Sequence, residues 1–353
     1  MNSTKTKKKT NIWNRLLAIT LVCLLVVFAI FLILVFRQER DLDLSEAYTP
    51  TISAAAEGSG LGSGAGNDSA GDDVSRQTSS AFASDLCVSE GTVALEGVSL
   101  QGSQEKGLLF NLETKQTLFA QGIYDQMYPA SITKIMTAIL AIKYGNMDDQ
   151  VTITAEDLAL EEGSQMSGMI EGDQVTMDQL FHALVIYSAN DAAMAIARQI
   201  GGSVDHFVEM MNEEALSLGM TGTHFMNPHG LHDGNHYTTV YDVYLMLKEA
   251  YQYSQFTDAA QMSVYQLTVT HSDGSQATFR LDSTDKYLTG VKTAPKDVTL
   301  LCGKTGTTDE AGSCLAVIAQ NAYGVPYMAV ILHADNHTVL YEDMNTLLMQ
   351  INN

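Results

Sequence analysis

The sequence predicts an α+β domain preceded by one transmembrane helix. The domain would be one antiparallel sheet, built from the two terminal portions of the globular region, with a helical insertion. Three observations lead there. Short apolar strands occur near 107–120 and recur between 263 and 332, where the period changes to that of strands joined by short turns. Between these ends the apolar residues recur at helical spacing. Ahead of both, residues 16–36 are a nearly continuous apolar run without a charge.

Residues 1–15 are polar and basic and read as a cytoplasmic tail. The 21 positions from Leu16 to Phe36, at about 1.5 Å per residue, span a hydrocarbon core of roughly 30 Å. Five basic residues precede the run, while Arg37 and Arg40 behind it are diluted by Glu39, Asp41, Asp43 and Glu46. The excess of positive charge on the N-terminal side places that end in the cytoplasm and everything after residue 37 outside the cell. A cleavable signal peptide is the competing reading. Its apolar core normally runs about 7–15 residues, with a small-residue cleavage site close behind. Here charged residues follow directly, and Ala54-Ala55-Ala56 lies far downstream, so an uncleaved anchor is expected.

Residues 37–85 read as a flexible extracellular linker, rich in Ser, Gly, Ala and Asp from residue 45 onward. About 40 such residues have a root-mean-square reach on the order of 35 Å. The run from Gly58 to Gly64 superficially resembles a phosphate loop, but no strand precedes it and no helix follows. No cofactor is expected.

Residues 86–353 form the globular part. Residues 107–112 and 116–120 predict a hairpin around the polar turn Glu113-Thr114-Lys115. The spacing of Ile132, Ile135, Met136, Ile139, Leu140 and Ile142 predicts a helix over 131–144, entered through Pro129. A short strand at 151–154 and a glycine-containing loop over 155–174 follow. Helices are expected at 177–187, 190–200 and 204–218, then a polar loop at 224–237 and a helix at 238–251 capped by Thr238 or Thr239. Strands at 263–270, 298–305, 314–320 and 327–332, and a helix at 338–351, complete the chain.

Charge excludes one class of partner. The chain has 353 residues and a formal charge of −22. Its first forty residues hold seven basic residues and one acid, so the remainder is formally −28. Such a surface repels nucleic acid. Four cysteines are present, Cys23, Cys87, Cys302 and Cys314, and no Cys-x-x-Cys. Cys302 and Cys314 flank a Lys-Thr-Gly and could face each other across a hairpin. A disulfide and two buried thiols are both compatible with that placement.

Three short segments carry the chemistry. Ser131 and Lys134 sit three apart at the start of the predicted helix, so they share one face. A serine hydroxyl needs a base within hydrogen-bond reach. A lysine in apolar surroundings, with its pKa depressed, can be that base. Ser188-Ala189-Asn190 interrupts two apolar helices. It reads either as a corner capped by Asn190 or as a corner that aims a hydroxyl and an amide into a cleft. Lys304-Thr305-Gly306-Thr307 lies at the end of an apolar strand. It reads either as a charged strand edge or as a strand that pairs with an extended peptide, with Gly306 allowing close approach. His229, His232, Asp233 and His236 resemble a zinc set only loosely, and a loop bordering the substrate cleft is expected there instead, with no metal.

The order Ser-x-x-Lys, Ser-x-Asn, Lys-Thr-Gly resembles the motif set of penicillin-binding proteins and class A β-lactamases. The flanks Tyr128-Pro129-Ala130-Ser131-Ile132-Thr133-Lys134-Ile135-Met136-Thr137-Ala138, Ser188-Ala189-Asn190-Asp191, Asn227-Pro228-His229-Gly230-Leu231 and Lys304-Thr305-Gly306-Thr307-Thr308-Asp309-Glu310-Ala311-Gly312 resemble the low-molecular-weight D-Ala-D-Ala carboxypeptidases over roughly residues 90–350. The resemblance implies a β-lactamase/transpeptidase-like fold. It implies a peptidoglycan stem peptide ending in D-Ala-D-Ala as substrate and β-lactams as covalent inhibitors. It further implies that Ser131 is the nucleophile, Lys134 its base and Ser188 the proton donor to the leaving group, and that Asn190 holds the substrate's amide and orients Lys134. The backbone N–H groups of Ser131 and Thr307 would form the oxyanion hole, and Lys304, Thr305 and Thr307 would hold the terminal carboxylate.

The sequence departs from the family pattern in three ways. No arginine follows Arg280, although members often use a late arginine for the carboxylate, and Tyr341 stands in that region. A C-terminal β-rich domain with an amphipathic anchor, common among members, is not expected here, and the N-terminal helix would take over anchoring. No residue is assigned as a deacylating glutamate; Glu161, Glu162 and Glu171 fall on a predicted solvated loop. Competing functions are a β-lactamase, a DD-endopeptidase and a non-enzymatic β-lactam or wall-peptide sensor. The roughly 15-residue cytoplasmic part is short for a signalling domain.

Overall fold

The computed structural model describes residues 86–352, apart from 88 and 90. The expected tail, membrane span and linker (1–15, 16–36 and 37–85) lie outside the described residues. Among the described residues no helix is long and apolar enough to cross a membrane.

The strands are β1 (Lys106–Asn111), β2 (Gln116–Gln121), β3 (Gln150–Thr152), β4 (Gln174–Thr176), β5 (Val264–Thr270), β6 (Gln276–Asp282), β7 (Thr299–Thr308), β8 (Gly312–Gln320) and β9 (Pro326–Ala334). The α-helices are α1 (Lys134–Tyr144), α2 (Met177–His182), α3 (Asn190–Gly201), α4 (Val204–Ser217), α5 (Val240–Ala250), α6 (Ser254–Ala259) and α7 (His337–Leu348).

The first hairpin forms because Asn111 Oδ1 accepts from the backbone N–H groups of Glu113 and Thr114, both at 2.9 Å, while Lys115 takes φ 61°. β1 then pairs with β9, giving a five-stranded antiparallel sheet in the order β2-β1-β9-β8-β7. Both ends of the domain supply it. Side chains alternate between its faces. Leu108, Phe110, Ile318 and Val330 join the core shared with the helical insertion. Leu109, Leu315, Val317 and Ile331 pack with Leu340, Tyr341 and Leu347 of α7. Because both faces are covered, β8 is buried throughout its middle and reads as an apolar run.

The expectation of a single sheet needs correction. The strand at 264–270 belongs to a second, four-stranded sheet, β3-β4-β5-β6. It pairs in register with β6, from Val264 opposite Asp282 to Thr270 opposite Gln276. β6, not predicted from the sequence, alternates exposed with more buried positions along Gln276–Asp282, although only Leu281 is fully buried.

Three local features bear on the site. The helix expected from residue 131 begins at Lys134, preceded by a 3-10 turn over Ala130–Thr133. The helix expected over 177–187 becomes a π-turn at Ala183–Tyr187, which ends at Ser188 in the left-handed conformation, φ 65°. Helix α5 is capped by Thr239, whose Oγ1 accepts from Asp242 N–H at 3.0 Å.

Candidate active site

The 3-10 turn decides how Ser131 and Lys134 meet. With three residues per turn, side chains at i and i+3 eclipse rather than merely share a face. Lys134 Nζ lies 2.9 Å from Ser131 Oγ. It also lies 2.6 Å from Asn190 Oδ1 and 2.7 Å from the His229 carbonyl oxygen. Those two oxygens only accept hydrogen bonds. A neutral amine has two hydrogens and one lone pair. Once both hydrogens are donated to Asn190 and His229, the lone pair is left for the Ser131 hydroxyl. Asn190 is therefore not the corner's cap. It is the first residue of α3, Ala189 occupies the cap position, and no side-chain capping bond is made there.

The turn is braced from below. Ala130 holds φ 46°, which a residue with a Cβ adopts at a cost of about 1 kcal/mol or more. Thr133 Oγ1 donates to the Ala130 carbonyl at 2.8 Å and sits 2.8 Å from His236 Nε2. His236 Nδ1 accepts from Met226 N–H at 3.1 Å, so the ring proton is on Nε2 and is donated to Thr133. Gly230 closes the loop against the same carbonyl, since a Cβ there would collide with Ala130 O.

The second and third segments meet across the cleft. Lys304 Nζ donates to Ser188 Oγ at 2.9 Å and to the Thr305 carbonyl at 3.0 Å. The left-handed turn at Ser188 aims its hydroxyl at that strand. Thr305 Oγ1 contacts Thr284 Oγ1 at 2.6 Å. Gly306 has a different reason to be glycine than the one the sequence suggests. A Cβ on it would sit 2.9 Å from Pro129 O and 3.0 Å from both Ser131 N and Ile132 N. The strand thus passes against the backbone of the 3-10 turn. β7 is the edge of the large sheet, and among the described residues no strand pairs with its outer side.

Electrostatics favour the unprotonated amine. Lys134 is fully buried, and burial, aided by the neighbouring Lys304 charge, holds its pKa well below the ordinary lysine range, with Asp191 opposing. Burial pushes Lys304 down to about 7, opposed by Asp285. Asp191 is buried under bonds from Ser167 N and Oγ, and burial raises its pKa.

Ser131, Ser188, Thr305, Gly306 and Thr307 line one cleft of about 290 Å³. Lys134, Asn190 and Lys304 stand behind its wall, buried. Four lining residues are not predicted from the sequence: Gln165, Thr284, Lys286 and His337. Gln165 is fixed by its carbonyl, which accepts from Asn190 N–H at 2.8 Å. No acidic side chain is among the described residues that line the cleft, and Glu161, Glu162 and Glu171 are exposed on their loop.

The remaining candidates are placed as follows. Tyr341 is buried in α7 and does not border the cleft; its hydroxyl donates to Asp285 Oδ1 at 3.1 Å and accepts from Lys286 N–H at 2.9 Å. Burial pushes His229 down to about 3 and His236 down to about 4, so both rings are neutral. His232 packs edge-on against Tyr128. Among the described residues no three His, Cys, Asp or Glu side chains group as metal ligands. Cys302 and Cys314 are free thiols, each pushed up to about 12 by burial. Register keeps them apart: Cys302 lies opposite Ile318, whereas Cys314 lies opposite Gly306.

Residues 99–336 match the family profile described as D-alanyl-D-alanine carboxypeptidase. D-alanyl-D-alanine carboxypeptidase DacF of Bacillus subtilis (strain 168) is 34% identical over 224 residues, 61% of this chain and 54% of that protein. The D-alanyl-D-alanine carboxypeptidase of Streptomyces sp. (strain K15) is 30% identical over 223 residues, 60% of this chain and 75% of the relative. Among solved structures, the crystal structure of the Streptomyces K15 DD-transpeptidase superposes with a TM-score of 0.65 at 26% identity, over 73% of this chain and 98% of that one. The match to this chain spans about half the length of the Bacillus relative and 37% of DacD of Escherichia coli (strain K12).

Proposed function

The chain belongs to the D-alanyl-D-alanine carboxypeptidase family, and from that membership together with the geometry around Ser131 we propose that it removes the terminal D-alanine from peptidoglycan stem peptides. In this reading the apolar run 16–36 anchors the chain in the cell membrane and the catalytic domain works outside.

The reaction begins with Ser131 Oγ attacking the carbonyl of the penultimate D-alanine, while Lys134 takes its proton. The peptide lies extended along the open edge of β7. Negative charge developing on the carbonyl oxygen is met by the backbone N–H groups of Ser131 and Thr307, which Gly306 lets approach each other. The C–N bond then breaks, with Ser188 passing a proton to the departing D-alanine amine. Lys304, 2.9 Å from Ser188 Oγ, replenishes that proton. Water hydrolyses the Ser131 ester and frees the shortened peptide. A β-lactam carbonyl would enter by the same attack and leave Ser131 acylated.

The observation that carries this reading is Lys134 Nζ 2.9 Å from Ser131 Oγ, with Asn190 Oδ1 and the His229 carbonyl oxygen as its two acceptor-only partners. Intact-mass measurement after exposure to penicillin, with Ser131→Ala alongside, tests it. One adduct on the wild type and none on the variant is expected, together with release of D-alanine from a pentapeptide. A wild type that neither forms adduct nor releases D-alanine refutes it.

The likeness to a DD-transpeptidase favours a second reading of the last step, in which an amine rather than water accepts the acyl group. Adding a D-amino acid acceptor and comparing the transfer product with the hydrolysis product separates the two.

A further inference from the structure

The cleft holds one cation that the chemistry above does not use. Lys134 and Lys304 are buried, and their Nζ atoms are committed to Ser131, Asn190, Ser188 and backbone carbonyls. Lys286 is different. It lines the cleft beside Thr284 and Thr305, is half-buried, and forms no ion pair with another described residue. Its charge is felt within the cleft, where it helps burial lower the pKa of His337.

The segment bearing Lys286 is fixed at several points. Lys286 N–H donates to Tyr341 Oη at 2.9 Å, and that hydroxyl donates to Asp285 Oδ1 at 3.1 Å. Asp285 Oδ1 also accepts from Tyr287 N–H at 2.9 Å. Tyr287 packs edge-on against Tyr341, with ring centroids 4.8 Å apart, and its hydroxyl donates to Asn345 Oδ1 at 2.8 Å. On the other side Thr284 N–H donates to the Ile186 carbonyl at 3.2 Å, which ties the segment to the π-turn ahead of Ser188. Helix α7 and the Ser188 corner thus hold the Lys286 backbone, while its half-buried side chain lines the cleft.

We propose that Lys286 is a specificity-determining residue that pairs with the free C-terminal carboxylate of the peptide, across the cleft from Ser131. This rests on the carboxypeptidase reading and deepens it. A substrate with a free C-terminus brings one full negative charge into the cleft, and no acidic side chain is among the described residues that line it. Lys304 stands behind the threonines and is occupied by Ser188. Lys286 can meet the carboxylate directly, with Thr284 and Thr305 as neutral donors beside it.

The test compares a peptide ending in D-Ala-D-Ala with the same peptide ending in D-Ala-D-alaninamide, following the shortened peptide by mass spectrometry. Wild type prefers the free acid. Lys286→Met is expected to reduce that preference in kcat/KM by ~10-fold or more, chiefly through KM, whereas Lys286→Arg retains most of it. Thermal melting of each variant confirms that it is folded. A folded Lys286→Met that keeps the wild-type preference, or that loses both substrates in equal measure, overturns the proposal. A wild type inert towards both peptides has a distinct signature and overturns the carboxypeptidase reading along with it.

Discussion

Lys134 Nζ stands 2.9 Å from Ser131 Oγ, with Asn190 Oδ1 closer still, at 2.6 Å. The amide is neutral, so it orients the amine without adding charge that would keep it protonated. Burial and the Lys304 charge then hold the Lys134 pKa far below the ordinary range. Acylation of Ser131 is therefore expected to rise with pH along a limb set by deprotonation of Lys134. Asn190→Asp places a carboxylate on the amine, raises its pKa and moves that limb towards alkaline pH. Acylation by penicillin at pH 7, timed by mass spectrometry, is expected to fall ~10-fold or more and to recover partly at high pH. An unmoved limb would show that Lys134 is not the titrating base.

Gly306 is held against the 3-10 turn by contact rather than by dihedral need. Gly306→Ala puts a methyl 2.9 Å from Pro129 O and 3.0 Å from Ser131 N, so the strand and the turn must part by a few tenths of an ångström or more. Small displacements of reacting groups cost about 100-fold in rate when they approach 1 Å. Gly303→Ala is the comparator. Its methyl meets Val317 Cγ1 at 2.8 Å and Ala316 O at 2.9 Å, inside the sheet. Both variants are expected to lose stability by about 1–3 kcal/mol, measured by denaturant unfolding. Only Gly306→Ala should also slow acylation per folded molecule, and equal acylation by the two variants would sink the proposed role.

Much of this site is legible in the sequence because each piece is local. Ser131 with Lys134, Ser188 with Asn190, and Lys304 through Thr307 each occupy one turn or one strand end, where spacing alone sets relative direction. What spacing cannot supply is which distant segments the topology brings to the same wall. Gln165, Thr284 with Lys286, and His337 come from three separate stretches with no pattern of their own. The second sheet is a different case: β6 alternates exposed with more buried positions along Gln276–Asp282, but only Leu281 is fully buried, so the signal is short and weakly apolar. The two cysteines near Lys304 are close in sequence, yet register sets them on different rungs of the hairpin.

Lys304 is retained in the core at a cost to stability. Its pKa is lowered from 10.5 to about 7, chiefly by burial. A lysine depressed in the folded state binds fewer protons there than in the unfolded chain. Stability from this group is therefore present above about 10.5 and is lost as pH falls towards about 7. Lys304→Met removes the buried charge. At pH 7 it is expected to raise the unfolding free energy by about 1–3 kcal/mol, less the bond lost to Ser188, while abolishing turnover. Chemical denaturation at pH 7 and pH 10 checks both the sign and its decline with pH. A variant less stable than wild type at pH 7 would mean that the Ser188 and Thr305 bonds outweigh the burial cost.

The opposite sign is expected at Glu105, at the far end of the large sheet. Glu105 is fully buried beside β1, and one of its carboxyl oxygens, Oε1, has no hydrogen-bond partner among the described residues. Burial first, then the nearby Asp343 carboxylate, raises its pKa from 4.5 to about 8, against the bond its other oxygen accepts from Gly102 N–H at 3.1 Å. A carboxyl raised in the folded state contributes stability that is fully present below about 4.5 and is lost as pH rises through about 8. Glu105→Gln keeps the acceptor for Gly102, offers Asp343 a donor and does not ionise. Its melting temperature is expected to match wild type near pH 5 and to exceed it increasingly towards pH 8, by the equivalent of about 1–3 kcal/mol. Parallel melting curves across that range would show that the Glu105 carboxyl does not lose its proton in the folded chain, and a variant less stable at every pH would show that the protonated acid makes a bond the amide cannot replace.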